Sequence, residues 1–269
     1  MQTVFTGMFQ PISLTYEGSG RGGAGAAAWA RRWWRALAAE ALATALLVLL
    51  GVATLVAGEG PAPLTHPALA FGFVVLVNVE AFGPASGAHM NPAVTLAALL
   101  QSKLPIAAAA AYVVAQSIGA TAGFAALKVQ FPLVHYLVRW HLRRRPEGAG
   151  CTQPADSPIA AAVVEAILTG SLVLLASAAW AAHDPARPDH AVSIKFALGI
   201  AGLVYAGGPL TGASLNPARS FGPAVIQGFW KHHWVSIYAD GSHKLLVCTH
   251  NKASDLTTVT FSPLRQLLC

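Results

Sequence analysis

The phrase SGAHMNPAVT at 86–95 returns as TGASLNPARS at 211–220, in a chain of 269 residues that is 55% hydrophobic and only 10% charged. An Asn-Pro pair interrupts an apolar run in a defined way. Asn is a preferred N-cap, and Pro is preferred at the first helical position. Both copies therefore read as helix starts: NPAVTLAALL from Asn91 and NPARSFGPAV from Asn216. Each keeps its pattern for about ten residues, which at 1.5 Å per residue is about 15 Å. That is half of a hydrocarbon core about 30 Å thick. A helix of this length enters a membrane without crossing it, provided its loop is buried in protein or faces water.

Composition supports the membrane reading. A soluble domain of average make-up carries about 25% charged residues, far above the share found here. The net charge of +6 comes with Arg clusters at 31–35 and 139–145, next to apolar segments. Basic flanks of membrane spans explain them better than a nucleic-acid partner does. Cys151, Cys248 and Cys269 show neither metal spacing nor a disulfide framework. No nucleophile–base set, Gly-rich phosphate loop or metal cluster stands out, so neither an enzyme nor a cofactor is expected. Residues 1–33, Gly-rich and then basic, read as a flexible cytoplasmic leader.

Five stretches meet or approach the length of about 20 apolar residues that a span requires. They run at 34–57, 62–82, 104–127, 158–182 and 191–207. The leader holds Arg21, Arg31, Arg32 and Arg35, while the loop at 57–67 holds no Lys or Arg, which places the N-terminus in the cytoplasm. The loop at 128–157, with Lys128, Arg139 and Arg143 to Arg145, argues the other way. Glu40 and Glu165 lie inside the first and fourth stretches. An ionisable residue in a span is costly, and is paired or functional. A structural carboxylate bonded to nearby backbone is the simpler of the two readings.

The two Asn-Pro-Ala sites are 125 residues apart, and so are Glu40 and Glu165, and Phe71 and Phe196. EALATALLVLL at 40–50 aligns without gaps to EAILTGSLVLL at 165–175. The chain thus reads as two copies of one unit, about 34–128 and 158–235. Three full spans separate the start of one copy from the start of the next. An odd number reverses direction, so the second copy enters upside down, as in inverted-repeat transport proteins. The two half-helices then bring their N-termini together at the midplane. Each end carries about half a positive charge, and each Asn adds an NH₂ donor. Two donors on a narrow path hold the oxygen of one water and break a proton relay, while the positive helix ends repel cations.

These residues, SGAHMNPAVT and TGASLNPARSFGPAV with Glu40 and Glu165 upstream, resemble the aquaporin (major intrinsic protein) family over about 36–235. The resemblance implies an all-α membrane protein with six tilted helices, two half-helices, a pore in each subunit and a homotetramer. It assigns Asn91, Pro92 and Ala93 with Asn216, Pro217 and Ala218 to the pore motif. It assigns Phe71, Val204, Ala213 and Arg219 to the selectivity filter. Val204 stands where strict water channels carry His, which is similar to the entomoglyceroporin branch. Ser220, after the filter Arg, is as in water channels rather than the older glycerol facilitators. The implied solutes are water first, with glycerol or urea as additional solutes, through a plasma-membrane protein.

One part departs from the pattern. The repeat offset predicts a sixth span at 229–252, but that stretch contains Lys231, Asp240 and Lys244 with four His. The sixth span is thus missing, residues 236–269 form an atypical polar tail, and the tail is expected to stay on the non-cytoplasmic side. Two other readings remain open: a truncated, non-conducting isoform, and a secondary transporter with a midplane site using Glu40 or Glu165.

Overall fold

The computed structural model describes residues 25–56, 63–138, 150–155, 157–184 and 186–235. These form seven helices and no strand: α1 (Ala26–Val56), α2 (Thr65–Ser86), α3 (Pro92–Leu100), α4 (Ile106–Val138), α5 (Pro158–Ala181), α6 (Val192–Thr211) and α7 (Pro217–Gln227). Five of them are long and apolar enough to cross a membrane, α4 through its segment Ile106–Val129. The remaining two, α3 with 9 residues and α7 with 11, are the half-length helices that begin at the Asn-Pro pairs.

Several ends differ from the sequence expectation. Helix α1 starts at Ala26, inside the stretch read as leader. Ala-rich sequence favours helix, and Trp33 is buried there, stacked on Trp29 and edge-on to Tyr112 of α4. Helices α2 and α6 run to Ser86 and Thr211, past the expected 82 and 207. Each contains a proline, Pro84 or Pro209, and each ends at a left-handed glycine, Gly87 or Gly212. Both pairs keep the 125-residue offset. Glycine adopts this cap without a Cβ penalty. Residues 231–235 form a turn and a short helical stretch. The polar tail from 236, with Cys248 and Cys269, lies outside the described residues.

Close approach at glycines sets how the helices cross. A Cβ on Gly119 would lie 2.1 Å from the Ala41 carbonyl oxygen, and one on Gly123 would lie 2.2 Å from that of Ala45. These two residues seat α4 on α1. Gly72 seats α2 on α6 in the same way, since a Cβ there would lie 2.5 Å from Ala197 O, and Gly222 seats α7 on Ala120 of α4. The main apolar cluster joins Val48 and Val52 of α1, Phe71 of α2 and Leu172 of α5 to Phe196 and Val204 of α6. Spans of both repeats therefore share one core. Its largest fully buried side chains include polar groups, Arg219, Gln116, Glu40 and Glu165, and these mark the site.

Candidate functional site

Two loops, 87–91 and 212–216, fold back into the core just before α3 and α7. Their backbones match residue for residue. Gly87, Ala88 and Met90 have positive φ, and so do Gly212, Ala213 and Leu215. A non-glycine residue in this region is strained, so something must hold each loop. The two carboxylates do so. Glu40 accepts from the backbone N–H of His89 at 2.8 Å and of Met90 at 2.7 Å. Glu165 accepts from the N–H of Ser214 at 2.8 Å and of Leu215 at 3.0 Å. Glu40 also takes the Ser86 hydroxyl and the Gln116 amide.

The loops deliver Asn91 and Asn216 to one place. Asn91 Oδ1 accepts from Ala93 N–H, and its Nδ2 donates across to Leu215 O at 2.6 Å. Asn216 Oδ1 accepts from Ala218 and Arg219 N–H, and its Nδ2 donates to Met90 O at 2.7 Å. Each half-helix is thus capped by its own Asn, and each Asn is bonded to the loop of the other repeat. Pro92 and Pro217 occupy the first helical position, where no N–H is needed. Ala93 and Ala218 follow, both buried.

Asn91 and Asn216 line one cavity with Phe71, Val204, Ala213 and Arg219. The Phe71 ring packs against Gly51, where a Cβ would sit 2.4 Å from it. The Arg219 guanidinium stands over that ring at 5.4 Å and donates through Nη1 to Gly150 O at 3.0 Å. Its Nε is buried without a hydrogen-bond partner among the described residues. Cation and ring attract through the ring quadrupole. His89 and Trp180 also line the cavity, with ring centroids 5.8 Å apart.

Sequence reasoning missed Gly150, Trp180 and the partners of Ser220. The Ser220 hydroxyl bonds to Ser214 and to Thr152, just as Thr95 in the first repeat bonds to His89 and Gln116. The third member comes from α4 in one repeat and from the segment before α5 in the other. No repeat offset could reveal that.

The family profile described as Major intrinsic protein matches residues 28–239. This chain belongs to the major intrinsic protein family. It is 40% identical to lens fiber major intrinsic protein of Gallus gallus over 205 residues, covering 76% of this chain and 74% of that protein. It is 37% identical to aquaporin-4 of Mus musculus over 220 residues, covering 77% of this chain and 63% of that protein. The X-ray structure of the aquaglyceroporin from Plasmodium falciparum shares its fold, with a TM-score of 0.67 and 24% identity over 81% of this chain and 94% of the other. As a major intrinsic protein, the chain is a multi-pass integral membrane channel for water and small solutes, not an enzyme.

Proposed function

We propose that this major intrinsic protein conducts water, with glycerol or urea as additional solutes. It excludes protons and ions, and acts as a homotetramer in the plasma membrane with one pore per subunit. The reciprocal bonding of Asn91 and Asn216 carries this reading. Each side-chain amide spends its oxygen on its own helix and one N–H on the opposite loop. An amide NH₂ has two donors, so each Asn keeps one N–H for the path. Two such donors, beside two positive helix ends, orient a passing water by its oxygen and interrupt proton transfer along the file.

The filter set supports the additional solutes. Val204 and Ala213 present apolar carbon where a ring nitrogen would narrow the mouth, and Phe71 offers an apolar wall. Arg219 supplies the donors for hydroxyl or carbonyl oxygen. The likeness to proteins named aquaporin-4 and to one titled aquaglyceroporin agrees with both solute classes.

The test is light scattering of vesicles carrying the full chain, under water, glycerol and urea gradients, with an entrapped pH dye. The expected result is solute-dependent swelling without proton leak. Val204→His is expected to lower glycerol flux several-fold more than water flux. Equal effects on the two would remove Val204 from the filter. No water flux above that of empty vesicles would refute the channel reading of this chain.

A further inference from the structure

Asn78 lies in α2 and is fully buried. An amide inside an apolar span needs a reason, because a buried polar atom without a partner is costly. Its Nδ2 donates to Ala43 O of α1 at 2.8 Å and to Met90 Sδ at 3.1 Å. An amide NH₂ has two donors, so both are used. Its Oδ1 is buried without a hydrogen-bond partner among the described residues. Turning the amide over would set that oxygen against two acceptors, so the contacts fix its orientation. A bolt between α1 and α2 needs only the Ala43 bond. The second N–H goes to a loop of the pore.

The backbone of Met90 is held on both sides. Its N–H goes to Glu40, its carbonyl accepts from Asn216, and its φ is 53°. Its side chain lines the cavity. Methionine is unbranched, with three rotatable bonds, so an untied thioether would sweep the path beside it. The second repeat solves this differently. The offset of 125 carries Asn78 to Leu203 and Met90 to Leu215. Leu215 has the same backbone role: its N–H goes to Glu165, its carbonyl accepts from Asn91, and its φ is 50°. Leu215 belongs to the main apolar cluster and Leu203 packs against that cluster. Packing alone holds a branched side chain there. The first repeat carries an amide and a thioether in the same two places, and the two touch.

We propose that Asn78 is a positioning residue for the channel: its second N–H ties the Met90 thioether to α2 and keeps it out of the solute path. This rests on the channel reading of the proposed function. A thioether is a weak acceptor, so the tie selects one side-chain arrangement and adds little stability. The orphaned Oδ1 counts against stability. Leu in place of Asn78 removes the tie and the orphan together, so conduction and stability should part.

The experiment uses the full chain with ¹³C-labelled methionine methyls, in mild detergent for NMR and in vesicles for flux. The chain has three methionines, Met1, Met8 and Met90, and Met90→Leu identifies the signal of the third. In Asn78→Leu that signal is expected to narrow and to move toward the position of a freely rotating methionine. Water flux is expected to fall several-fold, with the unfolding midpoint unchanged or raised. Asn78→Leu with Met90→Leu, which copies the second repeat, is expected to regain flux over Asn78→Leu. Should Asn78→Leu fail to fold, Asn78→Ser, too short to reach the sulfur, is read by the same methyl signal. An unchanged Met90 methyl signal would overturn the proposal. So would flux and midpoint that fall together and are not regained in the double variant. A wild type without flux would strike the channel reading alone, and the methyl signal would still decide the tie.

Discussion

Asn91 and Asn216 occupy matched places, but their bonding is not equal. Asn91 caps one backbone N–H and Asn216 caps two. Losing an N-cap costs about 0.5–2 kcal/mol. Replacement by Leu is expected to lower thermal stability at both sites, more at Asn216, and to reduce water flux in vesicles. The glutamates show the same imbalance. Among the described residues, Glu40 takes four donors, whereas Glu165 takes two. Each buried donor left without a partner costs about 1–3 kcal/mol. Glu40→Ala is therefore expected to be more destabilising than Glu165→Ala by about 2 kcal/mol or more, read as a gap in unfolding midpoint. Both pairs stood out in the sequence because capping is local and the offset is shared. The imbalance did not, since Gln116 lies 76 residues from Glu40 and reaches it only through the packing of α4 on α1.

Among the elements, α1 and α4 depend on glycine. The backbone of α1 comes so close to Gly119 and Gly123 that any side chain there would overlap a carbonyl oxygen. Overpacking a fitted contact costs about 1–3 kcal/mol. Gly119→Val is expected to reach or exceed the top of that range, because both helices would have to move apart. Denaturation in detergent measures it. The same separation would shift Gln116 away from Glu40, so water flux should fall along with stability. Hydropathy shows the spans as apolar runs, but it says little about which small residues meet. The crossing is a property of two surfaces, not of one segment.

For the whole molecule, the inverted repeat is a statement about sides. Segment 150–155 and the turn at 101–104 should face opposite membrane surfaces. With Cys248→Ser and Cys269→Ser, an impermeant maleimide is expected to label Cys151 from one side only. Lys103→Cys, in a chain also lacking Cys151, should label from the other. Labelling of both from one side would contradict the inversion. Burial pushes the Cys151 thiol up from its ordinary value, against the pull of Arg219 and Lys128. The thiolate is the reactive form, so labelling should be slow at neutral pH. It should rise with pH later than for a free thiol. A rate already at its plateau at neutral pH would show that Cys151 is not buried as the structure places it.

The sequence by itself determined the spans, the two half-length helices, their Asn caps and the pairing of repeats. Each of these rests on local periodicity, on capping, or on a copy of itself elsewhere in the chain. Tertiary structure alone decided the rest. The Asn amides donate to carbonyls 124 and 126 residues away, Arg219 is held by Gly150 O, and Trp180 packs on His89 in the lining of the cavity. Asn78 shows the same division: its letter is visible in the second span, but only the packed bundle brings it to Met90. Such contacts follow from crossing geometry between distant segments. Two repeats with matching sequence still find different neighbours, because each packs against what the other half provides.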